Sequence, residues 1–95
     1  MTIEIKQPAM QALEEIANWV EERNSLGSGE RYLEKFYLFI QSYAVSAEKV
    51  PLCKFPEFKA AKLKCIFFGD WVISFKIIDK KFVIYTVVHG SWLNY

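Results

Sequence analysis

The chain has 95 residues, 53% of them hydrophobic and 17% aromatic, with a formal net charge of +1. That length supplies one core and not two, and that composition excludes a disordered chain. No apolar run approaches the ~20 residues a membrane-spanning helix needs. The opening MTIEIKQPAM lacks the basic-then-apolar pattern of a signal peptide, so the expectation is a cytoplasmic protein. The charge is uneven. Residues 1–48 hold four basic residues against eight Glu (−4), whereas residues 49–95 hold eight Lys against Glu57, Asp70 and Asp79 (+5). This polarity suggests an anionic partner on the basic side, although lysines also simply keep a solvated rim soluble.

Thr2–Lys6 alternates Ile3 and Ile5 with polar residues and reads as a short strand, which Gln7-Pro8 ends. Pro8 then suits a helix entry. Ala9, Leu13, Ile16, Ala17 and Val20 make one apolar stripe, with Glu14, Glu15, Glu21 and Glu22 opposite, so a helix runs to about Arg23-Asn24. The group Ser25-Leu26-Gly27-Ser28-Gly29 is a turn. A second helix follows from about Glu30 to Ala44, with Tyr32, Leu33, Phe36, Phe39, Ile40 and Tyr43 on its core face. The short loop makes the two helices an antiparallel hairpin.

Periodicity fails from Val45 to Glu57, where Pro51 and Pro56 predict an irregular segment carrying Lys49 and Lys54. Alternation resumes over Lys62–Phe68, and Gly69-Asp70 turns the chain into two strongly apolar runs, Trp71–Ile78 and Phe82–Val88. Their Val, Ile, Phe and Tyr content suits a pleated sheet, and the polar Asp79-Lys80-Lys81 between them makes an antiparallel hairpin. Trp71, Ile73, Phe75 and Ile77 form its packed face; Ser74, Lys76 and Tyr85 belong to the other. In the second run, Phe82, Ile84, Thr86 and Val88 alternate with Val83, Tyr85 and Val87. The fold expected is α+β, in the order β-α-α-β-β-β. The helical hairpin covers one face of a small, mostly antiparallel sheet that the first strand joins at an edge.

No Gly-rich phosphate loop, HExxH or GxSxG is present, and the few carboxylates of the strand half do not make a two-carboxylate hydrolase. Cys53 and Cys65 beside a single His fall short of a zinc site and are expected to be ordinary thiols in a reducing compartment. No metal or cofactor is implied. The chemistry available is lysine beside aromatic. Lys62 and Lys64, two apart on one strand, share a face; joined there by Lys76, they would bind phosphate and stabilise a phosphoryl-transfer transition state. Tyr85, Trp92 and Tyr95 offer rings for unpaired bases, and Lys54 adds a cation. His89, the only histidine, ends the last strand before Gly90, and imidazole is the side chain most often used as a general acid or base near neutral pH. A lone His at a strand end also serves as a structural hydrogen-bonding residue.

The order of elements, with Gln7-Pro8-Ala9 leading into Leu13, Ile16 and Trp19, then Lys62-Leu63-Lys64, Gly69 to Phe75, and Ile84 to Val88 with His89-Gly90, resembles the RelE/ParE toxins of type II toxin–antitoxin (plasmid stabilisation) modules. The resemblance spans nearly the whole chain and rests on pattern. It implies a toxin that arrests growth and is silenced by a cognate antitoxin protein. RelE-like members cleave messenger RNA on the ribosome without a metal, the 2′-hydroxyl attacking the adjacent phosphate; ParE-like members bind and poison DNA gyrase. Under the nuclease reading Lys62, Lys64, His89 and Tyr85 are the catalytic candidates, and Lys54, Lys76 and Trp92 the RNA-binding ones. Val72, Phe75 and Trp92 stand where the family commonly has Arg, Tyr and Arg, and residues 49–95 contain no arginine. Lysine does not reproduce the bidentate grip of arginine on phosphate. Gyrase inhibition by binding, or an inactive antitoxin-binding member, therefore stand beside RNA cleavage.

Overall fold

The computed structural model describes residues 2–93. Along the chain run β1 (Thr2–Ile5), α1 (Gln7–Arg23), α2 (Ser28–Ala44), a 3-10 turn (Ala47–Lys49), α3 (Pro56–Ala60), β2 (Lys64–Phe68), β3 (Trp71–Ile78), β4 (Lys81–His89) and a second 3-10 turn (Gly90–Trp92). The sheet order is β1-β4-β3-β2, with β1 parallel to β4 at one edge and the other pairs antiparallel. This is the α+β fold expected, with the helical hairpin on one sheet face.

The hairpin of helices is locked at its turn. Gly27 lies at φ 86°, a left-handed conformation that glycine adopts without a Cβ clash. No side chain of α2 caps its own N-terminus. Glu21 of α1 does so instead, its carboxylate accepting from the N–H of Gly27 (2.7 Å) and Gly29 (2.8 Å). Gly29 is where the helices touch most closely, since a Cβ there would stand 2.5 Å from the Ala17 carbonyl oxygen. The apolar stripes of both helices, including Leu13, Phe36 and Ile40, then bury against Ile73, Phe75, Phe82 and Ile84 of the central strands. Phe75 and Phe82 stack at 4.2 Å between centroids.

The β3–β4 turn places both Asp79 (φ 50°) and Lys80 (φ 63°) in the left-handed region, the geometry of a two-residue hairpin turn. Regular alternation along β4 is interrupted. Ser74 pairs with Thr86 but Phe75 pairs with Ile84, so Tyr85 is an extra residue, a β-bulge. The bulge reverses the phase expected for the last part of β4. Val87 joins the helix-side core, whereas Val88 and Tyr85 pack on the far side and the Thr86 hydroxyl hydrogen bonds Ser74.

Three further expectations are corrected. β2 begins at Lys64, because Lys62 sits in a turn at φ 61° and its N–H bonds the Lys59 carbonyl. The segment read as irregular, residues 45–57, holds the 3-10 turn Ala47–Lys49 and leads into α3, and its Cys53 and Phe55 join Leu63 and Val72 in a second, smaller core over the far sheet face. Finally, Cys53 and Cys65 are joined in a disulfide rather than standing as free thiols. The antiparallel bridge Leu52–Lys64, with the Cys53 N–H on the Leu63 carbonyl at 2.9 Å, brings the two cysteines side by side. None of the helices is long and apolar enough to cross a membrane.

Candidate functional site

Of the candidate residues, His89 and Trp92 are brought together on the helix side of the sheet and Lys76 and Tyr85 on the far side, whereas Lys54, Lys62 and Lys64 join neither pair. β4 ends at His89, directly opposite Trp71 in the register, on the side of the sheet that faces the helices. Gly90 then donates its N–H to the Asp70 carbonyl at 2.8 Å and turns the chain, so that Trp92 comes back beside His89. The imidazole lies edge-on to Trp71 (5.2 Å) and tilted to Trp92 (6.5 Å). Its Nδ1 accepts from the backbone N–H of Ser91 at 3.2 Å and lies 2.8 Å from the Ser91 hydroxyl. Accepting an N–H requires Nδ1 to be bare, so the neutral ring carries its proton on Nε2.

His89 opens onto a groove of about 840 Å³ between α1 and the β2–β3 turn end of the sheet. α1 supplies Glu15 and Trp19, one helical turn apart on the same face; α2 supplies Tyr32; the turn and strands supply Phe68, Asp70 and Trp71. Tyr32 is held in the wall by edge contact with Phe68 (5.6 Å) and by a hydrogen bond from the Trp71 indole. Burial pushes the Tyr32 hydroxyl above its ordinary pKa, with the indole N–H acting in the opposite direction by favouring the phenolate. Tyr32 therefore works as a neutral hydrogen-bonding wall, not as a base.

The chain's three tryptophans, Trp19, Trp71 and Trp92, all line this groove. Among the described residues no Lys or Arg lines it, and the ionisable groups that do are Glu15, Asp70, His89 and Tyr32. The nearest arginine in the helical hairpin, Arg23, lays its guanidinium over the Trp19 ring at 4.3 Å.

The lysines do not converge. Lys64 pairs with Phe75 and so belongs to the helix-side face, where its Nζ donates to the carbonyls of Ala47 (3.3 Å) and Glu48 (2.7 Å). It ties down the 3-10 turn. Lys76 follows Phe75 in β3 and points to the far face, with its Nζ 5.7 Å from the Tyr85 ring; Lys6 approaches the same ring at 6.0 Å. The shared face expected for Lys62, Lys64 and Lys76 is therefore absent, because Lys62 lies outside β2 and Lys64 and Lys76 point oppositely. Tyr85 is separated from His89 by the sheet. Lys54 is exposed on the segment that carries the second core. Tyr95 lies outside the described residues. No cluster of three or more His, Cys, Asp or Glu suited to a metal occurs among the described residues.

Trp19, Trp71, Tyr32, Glu15 and Asp70 were not singled out as site residues by the sequence. Their separation along the chain hides the groove, and the one available signal was the small set of tryptophans. No protein-family model and no curated protein sequence matches this chain.

Proposed function

We propose that this protein is the toxin component of a type II toxin–antitoxin module of the RelE/ParE kind, held silent by a cognate antitoxin. The observation that carries the reading is His89 at the end of β4, open to an aromatic groove where the family resemblance puts a reactive group. The element order, with a helical hairpin over a four-stranded sheet, supports it.

For the mechanism the geometry favours growth arrest by binding a protein target, the gyrase-type reading, over messenger RNA cleavage. A groove with Glu15 and Asp70 and without lysine or arginine repels phosphate. Lys62, Lys64 and Lys76 do not share a surface that would hold an RNA backbone. One observation favours cleavage as the second reading: the His89 imidazole lies beside two indole rings, an arrangement suited to proton transfer next to a stacked base.

The experiment is inducible expression in bacteria without the antitoxin, beside His89→Ala, following growth, transcript integrity and plasmid supercoiling. The binding reading predicts arrest with intact transcripts and inhibited supercoiling by purified gyrase. Transcript loss that His89→Ala abolishes would establish cleavage instead. Normal growth at a confirmed soluble level would overturn the toxin reading and leave an antitoxin-binding module without toxicity.

A further inference from the structure

We infer that the groove beside His89 is a recognition site for an arginine side chain presented by a basic peptide segment of a partner protein. The inference goes beyond the growth-arrest reading and stands on the groove alone.

Two properties of the lining point to this occupant. The first is charge. Glu15 and Asp70 are the acidic groups among the described lining residues, both exposed, and the one arginine nearby, Arg23, is stacked on Trp19 at the groove's edge. Asp70 belongs to the same end as Trp92, because its carbonyl accepts the N–H of Gly90. The second is the concentration of indole surface. Trp71 and Trp92 both contact the His89 ring, and Trp92 is 76% exposed, so much of its indole surface stays open among the described residues. An indole face is the strongest of the side-chain sites for a cation, and a guanidinium also stacks on it as a plane. The molecule already makes this contact once, at the groove's edge, where Arg23 covers Trp19 at 4.3 Å. Arg23 occupies that ring, so the incoming guanidinium belongs at the Trp71–Trp92 end, next to Asp70.

His89 is held at the end of the groove, its Nδ1 accepting the Ser91 N–H. Tyr32 contributes a hydroxyl that burial keeps neutral. The volume, about 840 Å³, lies within the range of pockets that hold ligands larger than one side chain, so residues flanking the arginine also fit. An RNA segment would bring its phosphates against Glu15 and Asp70, which is why a basic peptide is the occupant assigned here.

Because all three tryptophans line the groove, intrinsic fluorescence of the full chain reports its occupation directly. The experiment titrates the protein with a short oligo-arginine peptide, with the matching oligo-citrulline peptide, which keeps shape and hydrogen bonding but lacks charge, and with a single-stranded oligoribonucleotide. The expected result is a saturable fluorescence change with oligo-arginine only. Trp92→Ala and Asp70→Asn, both at exposed positions that leave the core intact, should each weaken it by about tenfold. Circular dichroism of each variant excludes unfolding as the cause. Equal response to citrulline, preferential response to RNA, no saturable response, or affinity unchanged in both variants would each overturn the inference. The growth assay reads toxicity and this titration reads ligand chemistry, so failure of one leaves the other standing.

Discussion

Glu21 is one of several glutamates on the polar side of α1, and its sequence context marks it only as a solvated charge. Its carboxylate instead receives two backbone N–H groups, from Gly29 at 2.8 Å and Gly27 at 2.7 Å, and closes the N-terminus of α2. Those two bonds, the Gly29 one foremost, hold its pKa below the usual carboxylate value; Arg31 helps, and partial desolvation opposes them. A carboxylate whose folded pKa lies below its unfolded one stabilises the fold fully above the unfolded value, and that contribution disappears as pH falls through the folded value. Wild type should therefore lose stability on acidification from mildly to strongly acidic pH more steeply than Glu21→Gln, which is weaker at neutral pH and converges with it in acid. Thermal denaturation of both proteins across that range is the check; parallel curves would remove Glu21 from the account. Lys64 shows the same limit of sequence reading at a second residue. A lysine in a basic stretch reads as a phosphate contact, and nothing local reveals that the carbonyls of Ala47 and Glu48 receive its ammonium.

Among the elements, β3 and β4 were the most legible. Their apolar alternation is local, and the polar turn between them sets the pairing, so the apolar run Trp71–Ile78 coincides with the bounds of β3. The bulge was not legible, because an extra residue at Tyr85 leaves composition unchanged while reversing every side chain beyond it. The segment between α2 and β2 was misread for a different reason. Its order comes from non-local partners: a single bridge to Lys64, burial of Phe55 on Val72, and the Cys53–Cys65 link across 12 positions. Prolines argued for irregularity, yet Pro56 begins α3, where its missing N–H costs nothing. A cross-link closing a loop of this size restricts the unfolded chain and stabilises by about 2–3 kcal/mol. Reduction, or the Cys53→Ser/Cys65→Ser pair, should lower the urea-unfolding free energy by about that amount, with the bonded form identified by intact mass before and after alkylation. Identical stability with and without reductant would show that burial of Cys53 and Phe55 alone orders the segment.

At the scale of the whole molecule, the sheet separates two surfaces of opposite character. On the helix side, β4 delivers His89 to a groove of indoles and carboxylates; on the far side, Lys6 and Lys76 flank Tyr85. The division of charge along the sequence, acidic in residues 1–48 and basic in residues 49–95, suggested such polarity without assigning either surface. Fold class was legible because it follows from element order. The site was not, because it joins α1, the β2–β3 turn and the end of β4, and strand register alone decides which side chains meet there. The defining side chains of the two surfaces have different polar and ring partners among the described residues: Lys76 meets Tyr85, whereas His89 meets Trp71, Ser91 and Trp92. Substitutions at sites without common partners act independently. The double variant Lys76→Ala/Tyr85→Phe should consequently leave growth arrest and the oligo-arginine affinity within about twofold of wild type, while His89→Ala impairs the groove. Parallel growth curves and fluorescence titrations of the two variants separate the surfaces. Loss of growth arrest in the folded Lys76→Ala/Tyr85→Phe protein would move the functional surface to the far face, where two ammonium groups beside a phenol ring suit an RNA strand better than a protein target.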